Sequence, residues 1–238
     1  VGQTALTAVL PIGAGLRGRS VVARLDIDPG FDAEGAPSVQ VSSPMTRDAG
    51  AAAATARRYR NLMAAFASMP GVATVGGVNG LPLTADGANG GFWDGSVTSF
   101  DPAPPTLGYA EFRVASADYF KAIGIPLLSG RTFDGGDRAD GQQVAVISAA
   151  AAHAAWGDRD PIGRRIQYGN MDGDMHPLTI VGVVGDVHEH RLDKAPMGTV
   201  YVDLEQRPLT ASEFNIVVRS TLPLATLMQD LRGPLDQL

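Results

Sequence analysis

The side chains with the greatest chemical capacity lie in His188-Glu189-His190, with Asp186 and Asp193 close by. Histidines two positions apart share a face of an extended segment, and imidazole with carboxylate is a donor set that zinc accepts. A real site needs a third ligand in fixed geometry, and His153 and His176 bear no spacing relation to the pair. The pair reads as surface histidines, and no metal is expected. Ser116 stands two residues before Asp118. A hydrolytic serine needs a base oriented by a third group, and no histidine sits in such a segment, so Ser116 reads as a helix cap. Asp172-Gly173-Asp174 suggests a calcium loop but lacks the terminal glutamate and regular spacing of one. A polar hairpin connection fits it better.

Two further stretches attract attention. Gly13-Ala14-Gly15-Leu16-Arg17-Gly18 matches the dinucleotide pattern literally, with Asp32 beyond it. That motif works only where a strand feeds the glycines and a helix N-terminus receives the pyrophosphate. Here the preceding residues form a weak strand, and Pro29-Gly30 interrupts any crossover. No phosphate loop of the G-x-x-x-x-G-K-[ST] type is present, so no cofactor and no catalytic residue are expected. Zero cysteines exclude disulfides, thiolate metal sites and cysteine nucleophiles. The net charge of −6 gives no general attraction to nucleic acid. In the Gly- and Pro-rich loop over 86–105, Phe92, Trp93 and Phe100 are the candidate contacts for a partner or substrate. Alternatively they tuck into a seam between subdomains.

The elements that would position these residues are better marked. With 45% hydrophobic and 18% charged residues, 238 residues can bury a sizeable core. Ser38–Ser42 alternates as a half-buried strand. Residues 49–69 carry Tyr59, Leu62, Met63, Phe66 and Met69 on one stripe, as an amphipathic helix does, and Pro70-Gly71 ends it before a strand over 72–78. A strand over 109–114 leads to a short helix over 117–123. Val144-Ala145-Val146-Ile147 opens a strand, helix, tight turn and strand that ends near Val187, with Gly182 and Gly185 as packing positions. Strands over 200–204 and 214–219 precede an amphipathic helix over 223–238.

This order predicts an α/β (α+β) fold in which one layer, closed by both chain ends, receives an inserted mixed α/β subdomain. The expected boundaries are 21–83 with 199–238 for the layer and 84–198 for the insert, with hinges over 81–91 and 194–198. Residues 1–16 carry no charge and lead into Arg17 and Arg19. Sixteen residues fall short of the ~20 that span a bilayer. Residues 1–20 are therefore expected as the end of a truncated transmembrane helix or as a terminal arm.

In order and spacing, Asp118-Tyr119-Phe120, Gly124 through Phe133, Val144 through Ser148, Asp160 through Ile166 and Ile180 through Val187 resemble the MacB-type periplasmic core domain. Gly13-Ala14-Gly15-Leu16, Asp28-Pro29-Gly30-Phe31-Asp32 and Met69-Pro70-Gly71-Val72 are similar to segments of the duplicated permeases of that superfamily, abundant in acidobacteria. The resemblance implies a porter-like α/β layer with an insert, on the periplasmic side of the inner membrane. It also implies a non-catalytic role in efflux or export. The implied partners are transmembrane helices of the same permease and a separate cytoplasmic ABC ATPase. A periplasmic adaptor and a second copy of the domain are further candidates. The alternative is a soluble α/β enzyme or small-ligand-binding protein using the cleft between subdomains.

Overall fold

The computed structural model describes residues 27–84, 88–100, 103–168, 174–231 and 233. The expectations for residues 1–20, for the glycine motif at 13–18, for 169–173 of the calcium-like loop and for the last turns of the terminal helix lie outside the described residues.

Among the described residues, ten strands form one continuous sheet. At one end is a three-stranded leaf of β1 (Ser38–Ser42), β10 (Glu213–Ser220) and β2 (Val72–Val78), with β10 antiparallel to both neighbours. Helix α1 (Ala49–Ala67) joins β1 to β2 and packs on β2 and β10. Asp48 starts it by accepting a bond from the Ala51 amide at 2.7 Å. Of the stripe expected over 49–69, Tyr59, Leu62, Met63 and Phe66 are buried, whereas the helix stops at Ala67 and Met69, beyond it, is only partly buried against the core. Tyr59 stacks on Phe214 of β10 with ring centroids 5.0 Å apart.

The remaining order is β4 (Gly108–Ala115), β3 (Ala88–Asp94), β7 (Arg165–Gln167), β8 (Leu178–Val184), β6 (Val144–Ser148) and β9 (Gly198–Asp203). Because β9 also pairs with β4, in parallel, this ladder closes into a ring of six strands. The expected boundary at 198/199 falls at the start of β9, whose hydrogen-bonding partners are ring strands. β5 (Leu127–Gly130) hangs on the second half of β8 as an edge, with Leu127 and Leu128 exposed. Helix α2 (Tyr119–Ile123) packs on β2 and β10, α3 (Ala149–Trp156) on β9, β4, β6 and β8, and α4 (Leu224–Asp230) follows β10.

Within the sheet, leaf and ring meet at a narrow junction, where the β2–β4 ladder consists of the single pair Val78↔Ala115, while both hydrophobic cores contain residues of each part. Ser116 sits here and does not cap α2 with its side chain. Its Oγ accepts a 2.8 Å bond from the Gly77 amide, and the backbone of Asp118 stands at the helix start without a side-chain cap bond. The requirement of Gly77 for a partner at the strand end is what draws the hydroxyl away.

The stretch expected as an unstructured loop contains β3. Its Gly90 and Gly91 have little strand propensity, but the strand is held between β4 and β7. Gly182 and Gly185 do face close neighbours. A Cβ on Gly182 would stand 2.0 Å from the Arg131 carbonyl oxygen, and one on Gly185 would stand 3.0 Å from the Pro126 ring. No helix among the described residues is long and apolar enough to cross a membrane.

Candidate functional site

Two features stand out, one between leaf and ring and one on the ring. The first is a cleft of about 300 Å³ between α1, β2 and the segments that leave the ring. Met63, Ala64 and Ala67 of α1, Val75 of β2, and Leu204 give it an apolar wall. Asp118, Asp134, Asp203 and Glu205 give it carboxylates. Arg60 is the cation of the lining, and its Nη1 lies 2.8 Å from Glu205 Oε2. Asp134 has a partner outside the cleft in Arg131, 3.3 Å away. Asp203 is only 4% exposed. Its Oδ1 accepts from the amides of Glu205 at 2.8 Å and Gln206 at 3.3 Å. No donor among the described residues reaches its Oδ2.

Burial is the main cause that pushes the Asp203 carboxyl up to about 7, against those two amides. A carboxyl raised on folding favours the folded state while protonated, and that contribution is lost as pH rises through the raised value. The chain is therefore expected to lose stability between about pH 4 and about pH 7 from this group. Asp203→Asn keeps an oxygen for both amides. It should flatten that slope and raise stability near pH 8 by on the order of a few kcal/mol. Thermal melts of both proteins across that range are the check, and equal slopes would remove Asp203 as the cause.

The second feature is a buried ion network on the outer face of β4 and β9. Ala110, Phe112 and Val114 of β4 join the main core, so Glu111 and Arg113 point the other way. Parallel pairing sets Glu111 beside Thr199 and Arg113 beside Tyr201. The segment after β8 lays Glu189 and His190 over them. Arg113 donates from Nε and Nη2 to Glu189 Oε2 at 3.2 and 2.8 Å. Its Nη1 donates to the Phe112 carbonyl and lies 3.2 Å from Glu111 Oε2. His190 Nε2 approaches Glu111 Oε1 at 2.7 Å. Burial works against the Arg113 charge, but Glu189 and Glu111 outweigh it and raise its pKa. Burial also pushes the Glu189 carboxyl up despite Arg113. The two directions agree physically, since two carboxylates share one guanidinium and neither is fully compensated.

The histidines expected at the surface are divided by this arrangement. His190 turns to Glu111, whereas His188 Nδ1 faces the Arg191 carbonyl at 3.0 Å. Among the described residues no group of three metal-ligating side chains forms. The three aromatics also part. Phe92 is fully buried, stacked on Tyr168 and tilted against Trp156, and is unavailable to a partner. It occupies the inward position of β3, which the loop expectation concealed. Trp93 is half-buried, donates from Nε1 to the Pro104 carbonyl at 3.2 Å and meets Phe100 edge-on at 4.7 Å. Sequence reasoning singled out Glu189 only as a neighbour of the two histidines, and missed Glu111, Arg113 and Asp203, because each of these lies in an unremarkable strand pattern and far from its partners.

The family model for the MacB-like periplasmic core domain matches residues 2–233. The chain belongs to that family. It is an extracytoplasmic domain of an ABC transporter permease. No curated protein matches this MacB-like domain in sequence. The periplasmic region of MacB from Actinobacillus actinomycetemcomitans is 15% identical over 90% of this chain and 88% of that one, with a TM-score of 0.56. The extracellular domain of the noncanonic ABC-type transporter YknZ from Gram-positive bacteria is 14% identical over 82% and 88%, with a TM-score of 0.46. At such identity the MacB likeness speaks for the fold of the MacB-like core and for nothing finer.

Proposed function

We propose that this domain works without catalysis, on the periplasmic side of the inner membrane, passing conformational change between the transmembrane helices of its permease and a substrate or partner during export. The narrow junction carries this reading. Within the sheet a single ladder pair joins leaf and ring, while each is internally well paired, and the hydrophobic cores shared by the two are where a rotation would have to slide. Rotation about that junction would open or close the cleft beside α1, in the manner of hinged domains. The outer layer then comprises the leaf with α1 and α4, and the insert carries the ring. Of the expected hinge stretches, Ala88 to Gly91 lies in β3 and Gly198 in β9, which leaves residues 81–84 and 194–197. ATP hydrolysis would be supplied by a separate cytoplasmic subunit. A periplasmic adaptor or a second copy of the domain would meet the surface that includes Trp93 and Phe100.

Because this chain has no cysteine of its own, an introduced pair would supply the only thiols within the domain. In the full permease with its ATPase, cysteines at Ala67 of α1 and Gly135 of the loop after β5, both in the cleft lining, would be bridged by a short reducible bis-thiosulfonate. Transport is expected to fall about tenfold or more and to return on reduction, with ATP hydrolysis less affected. Trp93→Ala should lower transport in the same assay without lowering the melting temperature. Unchanged transport in the bridged protein would contradict the moving junction, and unchanged transport in Trp93→Ala would contradict the contact.

A further inference from the structure

We propose that the segment from Asp186 to His190 is a proton-operated strap: a proton on His190 fastens it to Glu111 and so clips the chain entry at Pro29 and the turn at Leu83 onto the ring. The proposal deepens the moving-junction reading and rests on it only for the motion that the strap would restrain. The strap starts on the ring, where Asp186 Oδ1 accepts from the Ala150 amide of α3 at 2.6 Å. It then grips two pieces of chain that run into or out of the leaf. The His188 amide donates to the Pro29 carbonyl at 3.0 Å, and the Leu83 amide donates to the Glu189 carbonyl at 2.7 Å. A Cβ on Gly30 would stand 1.9 Å from the Asp186 carbonyl oxygen, and Asp32 beyond it is held by Arg219 of β10 at 2.9 Å. The strap therefore links ring to leaf outside the sheet. Leu83, beyond the end of β2, is the one non-glycine residue with a positive φ, 63°, among the described residues. Such a left-handed backbone is kept only where its surroundings enforce it, and it relaxes when the restraint lets go.

The side chains decide when the strap holds. Glu111 and Glu189 share the guanidinium of Arg113, and Glu111 Oε2 has no hydrogen-bond donor even though Arg113 Nη1 lies 3.2 Å from it. His190 Nε2, 2.7 Å from Glu111 Oε1, is the hydrogen-bonding partner of that carboxylate. With a neutral imidazole the network sets two negative charges against one positive. The imidazolium balances it, which matters where burial keeps water from the carboxylates. The His190 side chain is 39% exposed, so a proton reaches it from solvent. From β4 the network includes Glu111 and Arg113. From β9, α2 and the end of β7 it faces Tyr201, Tyr119 and Tyr168, phenols that burial pushes up and keeps neutral. On the segment itself Arg191 pairs with Asp193, Lys194 lines the same hollow, and His188 turns to the Arg191 carbonyl. The contribution of the imidazolium–Glu111 pair is present while His190 is protonated and is lost as pH rises through the range in which histidine titrates. Burial pushes the Glu189 carboxyl up, so its ionisation weighs in the same direction.

Amide hydrogen exchange in the chain, corrected for the intrinsic pH dependence of exchange, reads the strap directly. Protection of the Leu83 and His188 amides should fall about tenfold between about pH 5.5 and about pH 8, while amides of β6, which open only with the whole fold, set the reference. In His190→Gln both amides should show the lower protection at each pH, and in His188→Gln the dependence of the parent should persist. His190→Lys, whose charge is constant over this range, should keep the higher protection at both. A parent without the dependence, or strap amides that track those of β6 throughout, would overturn the strap. So would a dependence that survives in His190→Gln or vanishes in His188→Gln, or a His190→Lys protein as loose as His190→Gln. None of these readouts needs transport, so failure of the strap and failure of the moving junction in the bridged-cysteine assay are told apart.

Discussion

Replacing Arg113 by Leu is expected to destabilise the domain by about 3–5 kcal/mol, the cost of leaving buried charge without its partner. Arg113 is 1% exposed, Glu111 is fully buried and Glu189 is 3% exposed. Removing the guanidinium would leave Glu189 without a charged partner and Glu111 with His190 alone. For a chain of this length the melting temperature should fall by roughly ten degrees. Two further results would identify the cause as charge and not lost volume. The Arg113→Leu protein should regain stability as pH falls, because the Glu189 carboxyl, already pushed up by burial, would be raised further and protonate. Adding Glu189→Gln should recover part of the loss at neutral pH. A single variant that melts with the parent would show that water reaches the network and screens it.

The second large effect is expected at Gly76. A Cβ there would stand 2.5 Å from both the amide nitrogen and the Cα of Tyr119, which are backbone atoms that cannot swing aside. Gly76→Ala must therefore push α2 away from β2. Tyr119 and Phe120 of α2 anchor the second core with Tyr201 and Phe133. Overpacking of this kind costs about 1–3 kcal/mol where side chains can give, and the rigid contact here should place the loss at or above the top of that range. Chemical denaturation of Gly76→Ala is the measurement. A loss below about 1 kcal/mol would mean the helix slides freely over the leaf. The comparison with Gly135 is instructive, since a Cβ there meets nothing within 4 Å and Gly135→Ala should be nearly silent.

The elements legible in the sequence were those with a strong local period. The stripe of α1, the strand at β6 and the glycine stop after Trp156 all announce themselves within a few residues. β3 did not, because its glycines and asparagine resemble a loop and only its neighbours β4 and β7 make it a strand. The buried ion network was invisible for a related reason. Ala110-Glu111-Phe112-Arg113-Val114 alternates as a strand with one wet face does, and only Glu189, 76 residues from Arg113 along the chain, turns that face into an interior. Asp203 reads as the polar end of a strand. Nothing near it in sequence indicates that Met63 and Val75 will enclose it.

The central position of β10 in the leaf has a consequence for how the chain assembles. β1 and β2 are never hydrogen-bonded to each other, and both wait for a strand that begins at Glu213. During synthesis the entire ring sequence is made before the leaf can acquire its middle strand. Such long-range pairing folds slowly. Until β10 arrives, α1 has only half of its packing surface and two strand edges stay open to other chains. The ring can close earlier, once β9 has been made. The expected order of assembly is therefore ring first and leaf last.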